Sequence, residues 1–276
     1  MNYPKILTVQ DISCVGQCSL TVALPVLSAC GVEACVMPSA VLSTHTCGFT
    51  GFTCRDLTED MPQIAAHWEK EKITFDGLYT GYLGSEAQIN TVIRLINGAL
   101  KQGAPVIVDP AMADNGKLYP AFDMAYVNQM KRLVAKADYV VPNITEACFL
   151  TGVPYQENVD RNYVDTLLQG LVLLGAKSVI LTGVSYREGE TGVAVYESGK
   201  YEYYAHEKLK NSCHGTGDIY ASAFAGALLK GKTAFDAARI AADYVVEAIR
   251  FTAKLDNHWY GAAFEPCLPK LIELLK

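Results

Sequence analysis

The sequence predicts an α/β fold in which a central, mainly parallel sheet lies between two layers of helices. The first observation is the order strand, loop, helix, strand over residues 5–37, which is typical of a parallel pair with a right-handed crossover. The second is that residues 105–136 and 138–146 repeat the order of buried strand, polar loop and helix. The third is a glycine turn that opens a small-residue, apolar helix over 215–230.

The individual elements follow from local patterns of apolar, turn and capping residues. Apolar runs predict strands, and the two runs on either side of Ser198-Gly199 predict an antiparallel hairpin. These runs lie at 5–10, 33–37, 75–85 (ending in a glycine-rich turn), 105–110, the start of 138–146, 176–183, 191–196 and 200–206. Amphipathic or capped segments predict helices, the first interrupted by Pro25. They lie before Cys30, at 59–72, from Ser85 to about 103, at 122–136, after Asn143, at 160–174, 215–230 and 233–252, and after Pro266.

Composition indicates one globular domain spanning 1–276. The chain is 50% hydrophobic and 19% charged, and it contains no linker, repeat or low-complexity tract. Its net charge of −6 argues against binding to nucleic acid or to an anionic membrane. The N-terminus lacks the pattern of a signal peptide, and no apolar run is long enough to span a bilayer. We therefore expect a cytoplasmic protein.

The nine cysteines are scattered from Cys14 to Cys267 and are odd in number. Their closest pairs, Cys14 with Cys18 and Cys30 with Cys35, do not have the spacing of a zinc site. In a chain of this size the pattern indicates reduced thiols, mostly packed as small apolar groups. A zinc site is not expected.

The turn Gly215-Thr216-Gly217-Asp218 has the form of an anion-binding site. Its glycines let backbone amides converge, and the N-terminus of the following helix adds positive partial charge. A carboxylate in such a turn is unfavourable if the turn only binds phosphate. It is explained if Asp218 accepts the proton of a hydroxyl that attacks a phosphoryl group, while the amides hold the developing charge. The alternative is that Asp218 only caps the helix.

Polar residues recur at or just after the predicted strand ends, where doubly wound sheets bind ligands. They are Asp11, Asp109, Asp114, Asn143, Glu146 and Asp218. Together they suggest a place for Mg²⁺ and nucleotide phosphate, although Asn143 and Glu146 also have the spacing of a plain capping box. The P-loop motif and the dinucleotide fingerprint are both missing. His45, in a loop after the second strand, is expected to be a hydrogen-bonded loop residue rather than a catalyst.

These motifs resemble a known superfamily of small-molecule kinases. Gly215-Thr-Gly-Asp218, Asp109-Pro110 and Asn143-x-x-Glu146, in this order, are similar to the ribokinase-like superfamily. Within it, Ser43-Thr-His-Thr46, Gly81-Tyr-Leu-Gly-Ser85 and Asp109-Pro-Ala-Met112 resemble the pyridoxal kinase branch. The resemblance covers nearly the whole chain. It implies a three-layer α/β/α fold with about eight to ten strands, a homodimer, and phosphorylation of the 5′-hydroxymethyl group of pyridoxal, pyridoxine or pyridoxamine with ATP, Mg²⁺ and often a monovalent cation such as K⁺.

The resemblance also implies roles for individual residues. Asp218 would be the general base, and Gly215, Thr216 and Gly217 would surround the transferring group. The nucleotide and the metal would be met by Asp109, Asp114, Asn143, Glu146, Thr182, Gly183, His206 and Leu209, with Asp109 and Glu146 as the metal ligands. The vitamer would be met by Asp11, Thr46, Cys47, Tyr82, Cys213 and Asp218. Asp114 follows Ala113, where the branch more often has Gly.

Two of these residues carry hypotheses of their own. The branch more often has Ser at the position of Asp11, which would face the ring nitrogen. A carboxylate there only accepts hydrogen bonds, so it would favour a protonated ring. Cys213 precedes the helix N-terminus, where a thiolate is favoured, and it could add reversibly to the aldehyde of pyridoxal. A small packed cysteine is the alternative.

Three rival functions remain open at this point. A hydroxymethylpyrimidine kinase of thiamin synthesis shares the fold and the base, and Asp11 would suit an aminopyrimidine. A sugar kinase is disfavoured because no lid insertion follows the second strand. A non-catalytic vitamin-binding protein has no need of the base that Asp218 offers.

Overall fold

The computed structural model of the chain describes residues 3–210 and 213–276, so the first two residues of the segment 211–230 lie outside the description. Eleven strands and nine α-helices lie within the described residues. The strands are β1 (Lys5–Ser13), β2 (Glu33–Leu42), β3 (Cys54–Asp56), β4 (Gly77–Thr80), β5 (Val106–Val108), β6 (Ala113–Asp114), β7 (Lys117–Leu118), β8 (Tyr139–Val140), β9 (Ser178–Val184), β10 (Glu190–Glu197) and β11 (Lys200–Glu207). The helices are α1 (Leu20–Ala29), α2 (Met61–Lys70), α3 (Glu86–Gly98), α4 (Met124–Val134), α5 (Ile144–Thr151), α6 (Arg161–Leu173), α7 (Thr216–Leu229), α8 (Ala234–Thr252) and α9 (Leu268–Leu274).

Nine of these strands form one sheet in the order β11-β10-β9-β8-β5-β4-β1-β2-β3. The six strands from β9 to β2 run parallel to one another. The antiparallel strands are at the two edges, β3 at one side and the β10–β11 hairpin at the other. The predicted mainly parallel sheet is confirmed.

Helices cover both faces of the sheet, as expected for a three-layer fold. One apolar core lies between the sheet and α2 to α6, and it includes Leu78, Val108 and Leu167. The second lies between the sheet and α1, α7, α8 and α9, and it includes Tyr79 and Phe224. Parallel strands buried on both faces require such apolar sequences, which is why these strands could be predicted.

The sheet changes direction of winding between β1 and β4. The chain first goes outward from β1 to β2 and β3, and it then returns to add β4 on the other side of β1. In doubly wound sheets the crevice at the carboxyl ends of the strands beside such a switch is where ligands bind. The fold therefore directs attention to the loops that follow β1, β4 and β5.

Two strands are longer than the sequence predicted. β1 extends to Ser13 and β2 to Leu42, so Asp11 lies inside a strand and not in the loop after it. The extension depends on distant pairing, because Val41 and Leu42 pair with β1 on one side and with β3 on the other. Local patterns do not contain that information.

The predicted loop at 111–117 contains a small hairpin, β6 and β7. Asn115 and Gly116 form its turn, both with positive φ (50° and 75°), as a type I′ turn requires. The Asn-Gly pair was the available signal for this hairpin.

Among the described residues, no helix combines the length and the apolar character needed to cross a bilayer.

Candidate active site

Two acids and one amide just after β5 and β8 form a cluster that we call the phosphate side: Asp109, Asn143 and Glu146. Asn143 caps α5, and its Oδ1 accepts a hydrogen bond from the Glu146 amide at 2.8 Å. Glu146 Oε2 accepts a hydrogen bond from the Asn143 backbone amide at 2.9 Å. This bond completes the capping box that the sequence suggested. The local motif thus fixes where both side chains lie.

Glu146 also joins this helix to the loop after β5. Its Oε1 accepts a hydrogen bond from the Met112 backbone amide at 3.0 Å. The side-chain Nδ2 of Asn143 donates to the Ala113 carbonyl at 2.8 Å. Glu146 is only 3% exposed. Burial raises the pKa of Glu146 to about 7, although the backbone amides that donate to it act in the opposite direction.

Asp109 lies directly after β5 and is almost fully buried. Burial, and then the negative charges of Glu146 and Asp218, raise the pKa of Asp109 well above its ordinary value. One oxygen accepts a hydrogen bond from the Ala111 amide at 3.0 Å. Carboxylates that repel one another in this way are a suitable environment for a divalent cation, which would relieve the repulsion.

Asp114 and Thr182 lie beside the phosphate side. Asp114 is exposed on the hairpin, where both its oxygens accept hydrogen bonds from Asn115. Its charge reaches Glu146 and adds to the rise of that pKa. Thr182 forms an isolated bridge with Asn143, and its hydroxyl donates to the Pro142 carbonyl. Both residues are thus close to the capping box.

The glycine turn of the sequence motif forms the N-terminus of α7. Gly215 is the N-cap, with φ 77°, and a Cβ at this position would overlap the carbonyl oxygen of Gln17. A Cβ on Gly217 would meet nothing within 4 Å, so that part of the turn faces open space. The first amides of a helix lack partners within it, and here they are free to meet an anion.

Asp218 lies in the first turn of α7 but does not occupy the cap position. The alternative in which Asp218 merely caps the helix is therefore wrong. Burial raises the pKa of Asp218 to about 7, and the charge of Asp11 adds to the rise. A backbone hydrogen bond from Ser19 acts in the opposite direction. A carboxylate with this pKa can accept a proton near neutral pH.

A second group of residues lies on the side of β1 and β4. We call this group the acceptor side: Asp11, Ser19, Cys47, Tyr82 and Asp218. Burial and then the charge of Asp11 raise the pKa of Tyr82 to about 12. Tyr82 also contacts Phe122, with ring centroids 5.5 Å apart. Asp11 is 4% exposed, and its oxygens accept hydrogen bonds from Ser13 and Ser19.

The loop that contains Thr46 and Cys47 is held by His45. The Cys47 amide donates to His45 Nδ1 at 3.1 Å, and His45 Nε2 lies 2.6 Å from the Tyr260 carbonyl. This arrangement confirms His45 as a hydrogen-bonded loop residue. Thr46 and Cys47 themselves are exposed, so they are free to meet a ligand.

Cys213 lies next to this loop through His214, whose ring is 5.6 Å from that of His45. Burial raises the pKa of Cys213 above its ordinary value. The prediction that its position favours the thiolate is therefore wrong for the free protein, because loss of solvation disfavours the charged form. All nine cysteines are free thiols.

His206 and Leu209 lie in a different part of the rim. His206 is on the edge strand β11, which β9 and β10 separate from β8. Leu209 lines a groove against the C-terminal part of α8, together with Arg250 and Lys254. Gly183, at the end of β9, has φ 74° and open space around its Cα. The structure thus places His206 and Leu209 apart from the acid cluster, whereas Gly183 directly follows Thr182, which bridges to Asn143.

Sequence reasoning missed Ser19 and Tyr119. Loss of solvation is the main cause of the raised pKa of the Tyr119 phenol, and the charges of Glu146, Asp114 and Asp109 add to it. Neither residue belongs to a motif with fixed spacing. The only sequence signal for Tyr119 is its position shortly after the Asn-Gly turn.

Comparisons with known proteins identify the family to which the chain is similar. The family model described as phosphomethylpyrimidine kinase matches residues 22–262. A Bacteroides thetaiotaomicron protein, a candidate phosphomethylpyrimidine kinase whose structure was determined with pyridoxal, is 36% identical with a TM-score of 0.92. The match covers 98% of this chain and 96% of that one. Lactobacillus plantarum pyridoxal kinase is 32% identical with a TM-score of 0.91, over 99% and 98% of the two chains.

The curated relatives contain the same two activities. Dictyostelium discoideum pyridoxal kinase is 26% identical over 81% of this chain and 78% of its own length. Hydroxymethylpyrimidine/phosphomethylpyrimidine kinases from bacteria occur at similar identity. The resemblance inferred from the motifs is confirmed, and a kinase of vitamin B6 or thiamin precursors is the activity that these relatives share.

Proposed function

The chain belongs to the phosphomethylpyrimidine kinase family, and from that premise we propose that it phosphorylates the 5′-hydroxymethyl group of pyridoxal, pyridoxine or pyridoxamine with ATP. We further propose that residues 1–276 form a single kinase domain. The observation that carries the proposal is Asp218, a carboxylate with a pKa of about 7 beside an open glycine turn. A binding protein has no use for such a base.

Asp218 would remove the proton of the attacking hydroxyl. A base is most effective when its pKa is close to the working pH, and burial brings Asp218 to that range. The amides of Thr216 and Gly217, at the start of α7, would hold the charge that develops on the transferring phosphoryl group. The helix N-terminus favours that charge before any reaction takes place.

The phosphate side would hold the nucleotide phosphates and Mg²⁺, with Asp109 and Glu146 as its protein ligands. Mg²⁺ is usually held by one or two carboxylates together with phosphate oxygens and waters, which suits a site with two buried acids. Within residues 3–210 and 213–276 no group of three or more acidic, histidine or cysteine side chains forms a metal cage, in keeping with a metal bound mostly through phosphate. Bound there, Mg²⁺ would neutralise charge on the phosphates.

Each oxygen of Glu146 already accepts one backbone hydrogen bond, so only its remaining lone pairs would meet the metal. Asn143 is likewise engaged through both ends of its amide. We therefore assign Asn143 the task of orienting Glu146 and the loop after β5. Asp114, Thr182, Gly183, His206 and Leu209 would border the rest of the nucleotide.

The acceptor side would bind the vitamer. Tyr82 is half-buried and could stack on a pyridine ring, while the exposed Thr46 and Cys47 would touch its substituents. Cys213 packs against the second apolar core, and its neighbour His214 contacts His45 of this loop, so Cys213 would border the vitamer only from its exposed side. The B. thetaiotaomicron relative determined with pyridoxal supports a pyridine ligand.

Hydroxymethylpyrimidine is the second candidate substrate. Several relatives carry this activity in their names, the family model is described as phosphomethylpyrimidine kinase, and Asp11 offers a carboxylate that could accept from an amino group. Both ring systems carry a hydroxymethyl group, so the same base would serve either one. The two candidates differ only in what the acceptor side recognises.

A panel of acceptors separates these functions. ADP release would be measured with Mg²⁺ and ATP in the presence of the three vitamers, hydroxymethylpyrimidine, its monophosphate and a simple sugar. We expect release with the vitamers at a kcat/KM at least about tenfold above that for the pyrimidines, since tenfold needs only about 1.4 kcal/mol. Preference for the pyrimidines would establish the second candidate, and no release with any acceptor would refute a kinase.

The homodimer and the monovalent cation also stay proposals. Light scattering on the purified protein would give the mass of the particle, to be compared with 30.0 kDa for one chain. Replacing K⁺ by a large organic cation at constant ionic strength would show whether turnover requires it.

A further inference from the structure

We propose that Asp11 is a positioning residue for the general base: it holds Ser19 in a backbone conformation that keeps the Ser19 amide against the carboxylate of Asp218. The proposal rests on the proposed function, since it concerns the same base. It differs from the role in which Asp11 contacts the ring of the substrate.

Ser19 has a backbone conformation that favours glycine. Its φ of 56° and ψ of −130° lie where L-residues are strained, close to the first central position of a type II′ turn. It occupies the N-cap position of α1, yet its side chain makes no capping hydrogen bond. Serine is a preferred cap in that position, so its hydroxyl must be used elsewhere.

The hydroxyl of Ser19 is used to bind Asp11. Ser19 Oγ donates to Asp11 Oδ1 at 2.5 Å, and Ser13 Oγ donates to Asp11 Oδ2 at 2.9 Å. Asp11 lies at a β-bulge of β1, between Gln10 and Ile12, which both pair with β2, and it is 4% exposed, so burial and the flanking pairs hold it in place. A charged acceptor gives a stronger hydrogen bond than a neutral one, which helps it hold a strained residue.

Ser19 in turn touches the catalytic turn. Its backbone amide lies near enough to Asp218 to lower the pKa of that carboxyl. The residues just before it pack on the same turn, because a Cβ on Gly215 would overlap the Gln17 carbonyl and lie 3.4 Å from Cys18 Sγ. The chain from Gln17 to Ser19 therefore forms one side of the pocket in which Asp218 lies.

In this proposal, the interaction between the Ser19 N–H and the carboxylate decides how Asp218 is oriented. With one carboxylate oxygen held by Ser19, the other is left to accept the proton of the substrate hydroxyl. If Ser19 relaxes to an ordinary conformation, its N–H turns away and the carboxylate loses this constraint. Misplacement by about 1 Å can lower a rate roughly 100-fold without weakening ground-state binding.

A glycine at position 19 provides a specific test, because glycine adopts this conformation without an anchor. The variants are Asp11→Asn, Ser19→Gly, the double variant, and Ser13→Ala as the matched control that removes the other hydroxyl from Asp11. Turnover and KM would be measured with pyridoxal and ATP at about pH 8.5, where a base with a pKa near 7 stays ionised.

We expect Asp11→Asn to lower kcat by roughly 10- to 100-fold with KM values for pyridoxal and ATP within about threefold of the wild type. Adding Ser19→Gly should restore kcat to within about threefold, and Ser13→Ala should change it by less than that. A rise in the KM for pyridoxal that Ser19→Gly does not reverse would overturn the proposal and place Asp11 at the ring. An unchanged kcat in Asp11→Asn would also overturn it.

A measurement without substrate keeps the proposal testable if the wild type proves inactive. Hydrogen exchange of the peptide covering residues 14–21 reports on the Ser19 amide. We expect Asp11→Asn to speed exchange of that amide at least about tenfold, and the double variant to return it to the wild-type rate. Equal exchange in all variants would overturn the role of Asp11, whereas an inactive wild type with the expected exchange pattern would refute only the proposed function.

Discussion

The phosphate side and the acceptor side meet at Asp218 but are built in different ways. On the phosphate side, Asn143 and Glu146 are fixed by the reciprocal bonds of the capping box, and Glu146 also accepts from the Met112 amide in the loop after β5. On the acceptor side, Asp11 binds two serine hydroxyls, and loops from four parts of the chain meet around His45 and Ser19.

This difference separates two sources of a precise site. A capping box places its carboxylate wherever the helix begins, so it is robust and easy to recognise in a sequence. The acceptor side depends on side-chain contacts between distant segments and on one strained residue. We expect changes on the phosphate side to act through charge and stability, and changes on the acceptor side to act through the position of the base.

The largest effect is expected where the two sides meet. Asp218→Asn keeps the shape of the side chain but removes its ability to accept a proton. Turnover should fall roughly 10²- to 10⁴-fold, because loss of a general base has that cost. Binding of ATP and of pyridoxine, measured by calorimetry, should change little. A variant that keeps near-wild-type turnover would show that another group removes the proton.

The next effect concerns pH. Asp218 acts in its ionised form, and its pKa is about 7, so kcat/KM should fall about tenfold for each unit of pH below that value. Glu146 has a pKa of about 7 as well, and its protonation would steepen the fall if it must also be ionised. Rates measured from about pH 5.5 to 8.5 test this. A flat profile over that range would contradict the assignment of the base.

A pair of helix caps tests the phosphate side. Asn143→Ala and Asp160→Ala each remove an N-cap side chain, and each should cost about 0.5–2 kcal/mol of stability. Thermal unfolding should therefore show similar losses. Only Asn143→Ala should also lower kcat/KM for ATP, about tenfold, because it leaves Glu146 poorly oriented. Equal activities in the two variants would reduce the capping box to a purely structural role.

The smallest effect is expected at Cys213. Its raised pKa leaves little thiolate to add to the aldehyde of pyridoxal. Cys213→Ser should therefore change turnover of pyridoxal and pyridoxine equally, by less than about threefold. Pyridoxine has no aldehyde and serves as the control substrate. A loss confined to pyridoxal would support the covalent contact instead.

The sequence allowed most of the fold to be predicted because its elements carry local signals. β5 is a continuous apolar run, β9 contains the apolar run 179–181, and Ser85 and Asn143 are side-chain caps at the predicted positions. The ends of β1 and β2 were not predictable. Their last residues pair only because β3 returns to the same place in the sheet.

The candidate site divides in the same way. Asp218 and the glycine turn were found from the spacing of a single motif, and the structure shows a half-buried carboxylate there. Ser19 was not found, because nothing in the sequence around it signals a positive φ at a serine. The raised pKa of Cys213 also depends on burial by distant residues, and the spacing of residues in the sequence does not show such burial.

The most direct test of the account is a competition between the two substrate classes. Wild-type protein would be given pyridoxal and hydroxymethylpyrimidine together at equal, limiting concentrations with ATP and Mg²⁺, and the phosphorylated products would be followed by mass spectrometry. We predict that pyridoxal phosphate forms first, with a ratio of kcat/KM values of at least about ten, and that neither product forms with Asp218→Asn on the same timescale. Preferential phosphorylation of the pyrimidine would contradict the proposed substrate, and undiminished product with the variant would contradict the proposed base.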